Sequence, residues 1–374
     1  MTQARSTKPN SAKVRNVVGL LRERIRNGPW APGVRIPTKI ELSHELGASV
    51  GTVQKALDHL TAHGFLRSRG CLGTFVVDQP PHLFRIGVII GLPQGASIWY
   101  DALAAMAEKL AKAEHRWLHV YYSCNRDQGV ISPALKELEG DLNHARVAGL
   151  ILTGDLEMLA GTATLERPGV ARAVIGPPFP SRPFPGMKWQ PAYPRAMQYF
   201  QAHGRKRFSI LTTTHHSAED LEPIMQCARS HGLQTARAWV HCLHENFTYP
   251  AQSLMELLMS LPPGKRPDAL YIHDDHLLRN ATKGLADSGV RVPAEVTVIG
   301  HANFPATQPT AVPVTYLGYD MAAVMRMALG IIDQQLAGRK VPELTVVNPV
   351  FAHELPAAHG KIQNPCHNSL AILN

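Results

Sequence analysis

Apolar residues near the start of the chain recur at helical spacing. Within residues 13–26 they fall three or four positions apart, which places them on one face of a helix. The residues of this face are Val14, Val17, Val18, Leu21 and Ile25. Asn27-Gly28-Pro29 ends the helix. A second short helix is predicted from Thr38, which forms a capping box with Glu41, to near Gly47.

A third helix and a hairpin complete this first region. Ser49 is placed to cap a helix that Gly64 closes. Its buried face comprises Val53, Ala56, Leu57 and Leu60. The stretch FLRSRGCLGTFVV then predicts two short strands around a glycine-containing turn. Three helices and a hairpin, with a tight turn between the second and third helices, predict a winged helix-turn-helix.

From about Phe84 the pattern changes to short apolar runs that alternate with helical stretches. The predicted strands are FRIGVII, WLHVYY, VAGLIL, RAVI, RFSIL, ALYI and VTVI, and the helical stretches between them include 99–114, 191–203, 219–231 and 319–337. This alternation predicts parallel sheets in α/β layers. The length of the region predicts two lobes with a ligand cleft at the carboxyl ends of their strands.

These patterns divide the chain into four parts. We expect a winged helix-turn-helix domain over 1–78, a short stiff linker over 79–83 that contains Pro80-Pro81, a two-lobed body over 84–355 and a tail over 356–374. A total of 374 residues agrees with two or three domains.

Charge is concentrated in the first part. The net charge of the chain is +9, and twelve basic against five acidic side chains place +7 of it in residues 1–78. A basic head on a nearly neutral body suggests that the head meets a polyanion, although a solvated basic surface would give the same count. No apolar run is long enough for a membrane helix, and the first residues lack the apolar core of a signal peptide, so we expect a cytoplasmic protein with no membrane partner.

Cysteine and histidine spacing gives no sign of a metal site. The five cysteines are scattered and form no CxxC pair. The densest histidine groups, His215-His216 and His241-Cys242 with His244, lack a second ligand pair at zinc-finger spacing. We therefore expect reduced thiols, no metal and no cofactor.

The third helix and the hairpin carry residues suited to DNA. Ser49, Gly51 and Thr52 are small groups that allow close approach at a helix N-terminus, where free N–H groups favour phosphate. Gln54 can pair with adenine in the major groove, and Lys55 follows it. Arg67 and Arg69 alternate along one strand of the hairpin, where they can meet phosphate or the minor groove. The full candidate set is Arg35, Thr38, Lys39, Ser49, Gly51, Thr52, Gln54, Lys55, Arg67, Arg69, Gly73 and Thr74. The alternative is that these are ordinary solvent-facing residues.

The stretch from Ile25 to Val76 resembles the DNA-binding head of GntR-type transcription regulators. The matching residues are Gly28, Pro32-Gly33, Ile36-Pro37-Thr38, Glu41-Leu42, Leu46-Gly47, Ser49, Thr52-Val53, Ala56-Leu57, Leu60, Gly64, Leu66, Arg69 and Gly73-Thr74-Phe75-Val76. The chain departs from the family at Ile40, Val50 and Gln54, where arginine is common, and at Cys71, where glycine is usual. Fewer arginines imply weaker phosphate clamping.

The body resembles the sugar-sensing domain of LacI-type regulators, which is similar to periplasmic binding proteins. The clearest stretches are RPDALYIHDD, ATKGLADSGVRVPAEVTVIGHAN and VTYLGYDMAAVMRMALGIIDQQLAGRK, with HGRKRFSIL and VAGLILTGD earlier. The resemblance implies that Asp275 faces the cleft and accepts hydrogen bonds from sugar hydroxyls, with Asp274 and Asn303 as further candidates. Their alternative role is to cap the next helix.

One departure bears on the ligand. Many such sensors carry an arginine where this chain has Asp220, with Pro223 where glycine is usual, so the ligand need not be a common hexose or pentose. Trp99, Tyr100 and Trp189 stand at loop-like or helix-start positions and could stack on a sugar face, although aromatic residues are more often part of a core.

Together these features predict a regulator that is not an enzyme. We expect a transcription regulator that binds a double-stranded DNA operator as a homodimer and responds to a small-molecule effector, such as a sugar. A repressor is the first expectation, and an activator is the alternative. One alternative is a DNA-binding protein whose body only dimerises. The other is an α/β enzyme fused to a DNA-binding head, but no GxSxG, P-loop, dinucleotide or HExxH motif supports it.

Overall fold

The computed structural model of the chain forms two compact units. It describes residues 12–95, 97–114, 117–122, 132–154, 159–177, 184–213, 218–244 and 247–356, with the side chains of 218–220 left out. Unit 1 comprises the chain up to Pro93, Ala107–Val174 and Leu329–Val341. Unit 2 comprises Gln94–Met106, Ile175–Ala328 and the chain from Pro342. The chain therefore passes between the units several times.

The head, residues 12–78 of unit 1, has the predicted elements. They are α1 (Ala12–Arg26), α2 (Lys39–Leu46), α3 (Val50–Ala62), β1 (Leu66–Ser68) and β2 (Thr74–Val76). The capping box that begins α2 is present, since the Glu41 N–H donates to Thr38 Oγ1 at 3.3 Å and the Thr38 N–H donates to Glu41 Oε2 at 2.7 Å. Gly47 ends α2 in the left-handed conformation, at φ 58°.

One apolar cluster holds the head together. Every residue predicted for the buried faces of the first and third helices is buried. Leu21, Leu42, Leu60 and Phe65 are fully buried at its centre. The antiparallel pairing of β1 with β2 places Leu66 opposite Val76, and both side chains pack into the same cluster. The winged helix-turn-helix predicted from the sequence is confirmed.

The first lobe lies in unit 1 and is built on a four-stranded sheet. Its strands are β3 (Arg85–Ile90), β4 (Trp117–Tyr122), β5 (Gly149–Thr153) and β6 (Ala171–Ile175), in the order β4-β3-β5-β6. Strand β3 pairs in parallel with both β4 and β5. The helices of this part of the chain are α4 (Pro81–Phe84), α5 (Ile98–Ala113), α6 (Pro133–Asn143) and α7 (Ala163–Glu166).

The second lobe lies in unit 2 and is built on a six-stranded sheet. Its strands are β8 (Arg207–Thr213), β9 (Gln234–Leu243), β10 (Ala269–Ile272), β11 (Thr297–Phe304), β12 (Thr315–Asp320) and β14 (Val350–Phe351), and β7 (Gly186–Trp189) and β13 (Leu344–Val347) form a separate pair. The order is β14-β12-β11-β10-β8-β9, with β14 antiparallel to β12. The helices of this part of the chain are α8 (Tyr193–Ala202), α9 (Ala218–Ser230), α10 (Pro250–Met259), α11 (Asp275–Asp287) and α12 (Met321–Leu336), and α12 passes into unit 1 at Leu329.

The seven predicted strands and four helical stretches of the body are all observed. Five strands of the body were not predicted, namely β7, β9, β12, β13 and β14. Strand β9 forms the edge of its sheet and its residues are only partly buried, which removes the apolar run. The helix predicted from residue 319 begins instead at Met321, since the preceding residues extend β12. No helix among the described residues is long and apolar enough to cross a membrane.

The segment predicted as a short, stiff linker contains a helical turn. Pro81–Phe84 forms the single turn α4, and Pro80 and Pro81 are buried. The head and the first lobe meet close by, within unit 1. A β-carbon added to Gly64 would lie 3.6 Å from Pro81 Cγ and 3.9 Å from Trp117 Cη2. The head is therefore packed onto the first lobe.

The polar part of this contact is organised by the buried carboxylate of Asp141, on α6. It accepts a hydrogen bond from the Tyr121 hydroxyl at 2.8 Å and from Arg146 Nε at 2.8 Å, and it lies 2.9 Å from Arg85 Nη2. Arg146 in turn places Nη1 2.9 Å from His63 Nε2, directly after α3. A chain of polar contacts thus runs from the first-lobe sheet to the end of the third helix of the head.

Three imidazoles gather around this point. The ring centroids of His59 and His63 are 3.8 Å apart, and those of His63 and His144 are 5.3 Å apart. Burial, together with the positive charge of Arg146, lowers the pKa of His63 to about 3. Burial also lowers the pKa of His144. The contact between head and lobe therefore requires a neutral His63.

Acidification should destabilise this contact. Unfolded His63 titrates near pH 6.5 and folded His63 near pH 3, so between these values the unfolded state binds more protons and the free energy of unfolding falls as the pH falls. Urea unfolding at about pH 7.5 and about pH 5 should show this loss, and His63→Asn should reduce it. His44→Asn, on the exposed side of α2, is the matched control and should keep the full pH dependence. Equal pH dependence in H63N and the unmodified chain would contradict the assignment.

Candidate nucleic-acid interface and ligand site

The first turn of α3 is small, polar and open. Ser49 caps the helix by accepting a hydrogen bond from the Thr52 N–H at 3.2 Å, and the two hydroxyls lie 2.8 Å apart. A β-carbon added to Gly51 would meet nothing within 4 Å. This turn leaves space for a phosphate or a base edge to approach the free N–H groups of the helix.

Gln54 and Lys55 follow on the next turn. Lys55 is exposed, whereas Gln54 is partly buried and its Nε2 donates to Asp58 Oδ1 at 2.9 Å. The amide of Gln54 has two N–H donors, so one can stay on Asp58 while the other, together with Oε1, pairs with adenine. The hydrogen bond to Asp58 therefore holds Gln54 in place and leaves groups for a base.

The wing is braced by arginines. Arg67 is exposed and pairs with Asp78 at 3.3 Å, and the guanidinium of Arg69 lies 5.0 Å from the centre of the Phe75 ring. Gly73 adopts φ +110°, and a β-carbon there would lie 2.7 Å from Arg35 Nε. Glycine at this position lets Arg35 lie directly against the wing.

The predicted DNA-binding residues differ in exposure and in how far their polar groups are already hydrogen-bonded within the head. Thr38 has both its N–H and its hydroxyl engaged by Glu41, so the structure assigns it a capping role in α2. The exposed candidates are Arg35, Thr38, Lys39, Ser49, Gly51, Lys55, Arg67 and Arg69, and the partly buried ones are Thr52, Gln54, Gly73 and Thr74. Their contacts with DNA remain predictions.

Two exposed apolar side chains stand where similar heads carry arginine. Ile40 on α2 is 58% exposed and Val50 at the start of α3 is 41% exposed. Neither position has the cation that would clamp a phosphate. The first turns of both helices thus offer apolar contact instead of charge.

The candidate ligand residues meet at the carboxyl edge of the second-lobe sheet. Asp274 follows β10 and caps α11, accepting from the His276 N–H at 2.9 Å, while its other oxygen accepts from the Thr213 hydroxyl at 2.8 Å. Burial raises the pKa of Asp274, but hydrogen bonds from His276 and Thr213 outweigh it and bring the pKa to about 2. Asp274 is an ionised helix cap, as its alternative role predicted.

Asp275 is more deeply buried and less well compensated. Its Oδ2 accepts from Asn303 Nδ2 at 2.9 Å, and its Oδ1 lies 3.4 Å from His276 Nδ1. Burial raises the pKa of Asp275, against the opposing effect of His301. Asn303 Oδ1 and His301 Nδ1 are buried and have no hydrogen-bond partner among the described residues. Near this carboxylate, therefore, buried polar atoms of the described residues have no hydrogen-bond partner.

The three candidate aromatic residues form one row with two residues that were not predicted. Trp99 lies with its ring centroid 4.7 Å from that of Tyr100 and 6.1 Å from that of Trp189. Tyr319 continues the row, 4.7 Å from Trp189 and 5.9 Å from His301. The row thus leads from α5 to the β-strand that carries Asn303.

Strand alternation could have identified both missing residues. His301 and Asn303 are two positions apart on β11 and so share a face. Tyr319 is paired with Asn303 in the parallel register of β11 and β12. The sequence shows the alternation, but it does not show the register between the two strands.

The histidine and cysteine groups singled out in the sequence lie only partly within the described residues. Among the described residues, the group whose possible ligand atoms all lie within 4.8 Å is Asp274, Asp275 and His276. His241 Nε2 is bonded to the Ala238 carbonyl oxygen at 2.9 Å, and His215 and His216 lie outside the described residues. Cys71, Cys227 and Cys242 are free thiols, and Cys124 and Cys366 lie outside the described residues.

Comparison with protein families gives two matches on this chain. Residues 13–76 match the bacterial regulatory proteins of the gntR family. Residues 197–352 match the periplasmic binding protein-like domain. The chain carries a GntR-family head and a periplasmic-binding-protein-like body. The second match covers the lobe that holds Asp275 and Asn303.

Curated relatives of this chain are named as regulators. A histidine utilization repressor of Klebsiella aerogenes is 30% identical over 119 residues, which is 32% of this chain and 44% of the relative. One from Pseudomonas putida is 45% identical over 56 residues, 15% of this chain and 23% of the relative. The HTH-type transcriptional regulator GalS of Salmonella typhimurium is 22% identical over 139 residues, 36% of this chain and 40% of the relative. The chain spans less than half the length of these relatives.

Solved structures share the fold of the binding-protein-like body. A LacI family regulator from Lactobacillus casei with bound sucrose is 19% identical, with a TM-score of 0.51, and covers 71% of this chain and 97% of its own. A LacI family regulatory protein from Chloroflexus aggregans is 14% identical, with a TM-score of 0.55, and covers 72% of this chain and 96% of its own. At these identities the likeness concerns the fold.

An arginine at Val50 should strengthen DNA binding by the GntR-family head. If the first turn of α3 faces phosphate, Val50→Arg adds one contact and steepens the dependence of log affinity on log salt by about 0.9. Leu20→Arg on α1, where Leu20 is 46% exposed, adds the same charge and is the matched control with an unchanged slope. Fluorescence anisotropy over a salt series measures both. Equal slopes in the two variants would show that this turn does not face the backbone.

Proposed function

We propose that the chain is a transcription regulator, in the sense of a repressor, whose DNA affinity is controlled by a small-molecule effector. One observation supports this most: the chain combines two features. The first turn of α3 is open and has small side chains, and buried polar atoms near Asp275 have no hydrogen-bond partner among the described residues. The first feature suits DNA and the second suits a small ligand.

The head is proposed to bind a double-stranded operator. In this arrangement α3 enters the major groove, Gln54 and Lys55 face base edges and phosphate, and the wing places Arg67 and Arg69 near the backbone. A helix-turn-helix protein that reads a two-fold site binds it as a dimer, so we propose a homodimer. We also propose that it acts in the cytoplasm.

The body is proposed to bind the effector, such as a sugar or a related metabolite. The aromatic row of Trp99, Trp189 and Tyr319 supplies apolar ring surface, and Asp275 with Asn303 supplies polar groups for orientation. Two of the relatives above are named as repressors of histidine utilization, and one structure with the same fold holds sucrose. These names support a regulated repressor, with the effector left to experiment.

Two other functions are less well supported. A body that only dimerises would have no use for buried, unpaired polar atoms such as Asn303 Oδ1, since these cost stability when no ligand meets them. An enzyme needs a nucleophile or an acid–base pair aimed at a substrate. At this site Asp274 is engaged as a helix cap, and the relatives of the chain are named as regulators.

Binding to DNA from upstream of its own gene tests the DNA-binding part. The affinity should fall steeply with salt, because each phosphate contact releases counterions. If Lys55 contacts phosphate, Lys55→Ala should weaken binding to all sequences and reduce the slope of log affinity against log salt by about 0.9. Gln54→Ala should instead reduce the binding free energy by about 1–3 kcal/mol through one base pair and leave that slope unchanged.

The control and the contradicting result are direct. Lys109→Ala, on α5 of the body and exposed, removes the same charge and should alter neither the affinity nor the slope. A flat salt response of the unmodified chain would exclude a phosphate-binding head and with it the proposed function.

A further inference from the structure

The two carboxylates at the second-lobe sheet edge have an unusual set of partners. Both of their ion pairs are with His276: its Nδ1 lies 2.8 Å from Asp274 Oδ1 and 3.4 Å from Asp275 Oδ1. No lysine or arginine among the described residues pairs with either carboxylate. His276 thus faces two acids, and His301 is a second imidazole that acts on Asp275. Each imidazole is charged only when it is protonated, so the described residues give the site no permanent positive charge.

Asp275 is the carboxylate whose negative charge is least well paired. It is 6% exposed, and its other oxygen is held by the neutral amide of Asn303 at 2.9 Å. A buried carboxylate is stable when it is paired with a cation, and burial without one favours the protonated form. A ligand that brings a positive charge would supply the missing partner, which a neutral hydroxyl does not.

Two buried polar atoms at this edge have no hydrogen-bond partner among the described residues, and they favour a ligand that donates hydrogen bonds. Because Asn303 Nδ2 donates to Asp275, its Oδ1 is left as a buried acceptor without a partner in the described part of the chain. His301 Nδ1 is likewise buried and unpaired there. An ammonium group has several N–H donors, which can reach the carboxylate and the amide oxygen together.

The aromatic row supplies the second feature that a cation requires. Trp99, Trp189 and Tyr319 are partly exposed, and adjacent rings stand at 70° and 75° to one another. Rings set nearly at right angles form the walls of a corner, and aromatic faces attract organic cations as well as their carbon atoms. His301 joins this corner to Asn303, with its ring 5.9 Å from Tyr319.

We propose that this site binds an organic ammonium ion, with its N–H groups on Asp275 and Asn303 and its carbon atoms against Trp189 and Tyr319. This rests on the proposed function and names the chemical class of its effector. A ligand that also carries a carboxylate fits less well, because no lysine or arginine among the described residues pairs with the two acids at this edge.

Matched pairs of small molecules test the charge requirement on the full chain. One pair is 1-deoxy-1-(methylamino)sorbitol and sorbitol, and the other is tris(hydroxymethyl)aminomethane and pentaerythritol. In the first pair a methylammonium group replaces a hydroxyl group, and in the second an ammonium group replaces a hydroxymethyl group, each with little change in size. Isothermal titration at about pH 7 should give an affinity at least about tenfold higher for the ammonium member of one pair or both. The same member should raise the melting temperature.

Two variants and one control assign the effect to the site. Asp275→Asn keeps the size of the side chain and should remove the preference for the ammonium member. Trp189→Leu should weaken its binding while the chain still melts cooperatively. Glu222→Gln, exposed on α9 of the same lobe, removes an equal charge and should keep the preference. A preference that persists in D275N, with E222Q unchanged, would overturn the assignment to Asp275.

The contradicting results separate this inference from the proposed function. If the neutral members bind as tightly as the ammonium members, or if a neutral sugar alone stabilises the chain, the site is a polyol site and the inference is wrong, while effector control stands. If no ammonium compound binds at about 10 mM although the chain binds upstream DNA with a steep salt slope, the inference is also wrong. Failure of DNA binding is a separate result that overturns the proposed function.

Discussion

The buried carboxylate of Asp141 is the interaction on which the first unit depends. It joins Arg85 on β3, Tyr121 on β4 and Arg146 after α6, and through Arg146 it reaches His63 at the end of α3. Removing one partner of a buried ion pair costs about 3–5 kcal/mol, because a charge is left uncompensated. The position of the GntR-family head on the first lobe is therefore set by the same network that ties the strands of the lobe to its helix. A short buried turn, α4, makes the covalent connection beside it.

Asp275 shows the opposite use of a buried carboxylate. Asp141 has two arginines and a tyrosine hydroxyl, so its charge is fully paired within the protein. Asp275 has one amide and one shared imidazole, and unpaired polar atoms lie next to it. The first arrangement is complete within the protein, whereas the second leaves polar groups free among the described residues to meet the ligand that we propose. The partners of the two carboxylates distinguish a structural junction from the proposed ligand site.

Much of the head could be predicted from the sequence, because its signals are local. The capping box of Thr38 and Glu41 and the Ser49 cap act within one helical turn, and the apolar spacing of Val14 to Ile25 fixes the buried face of α1. The sheet edge was predicted in part, since Asp274, Asp275 and Asn303 follow or lie on strands. Tyr319 and His301 were missed because their meeting depends on the register of β11 with β12. The contact of Arg146 with His63 was missed for a similar reason, since it joins residues 83 positions apart.

The central claim is that ligand and DNA binding are coupled through one chain, which passes between the two units several times. Linkage requires that coupling be reciprocal. The most direct measurement is therefore a pair of titrations on the full chain: the affinity for upstream DNA with and without a stabilising ligand, and the affinity for that ligand with and without saturating DNA. The account predicts two ratios that are equal and different from one. Ligand affinities that are identical in the presence and absence of DNA would contradict it.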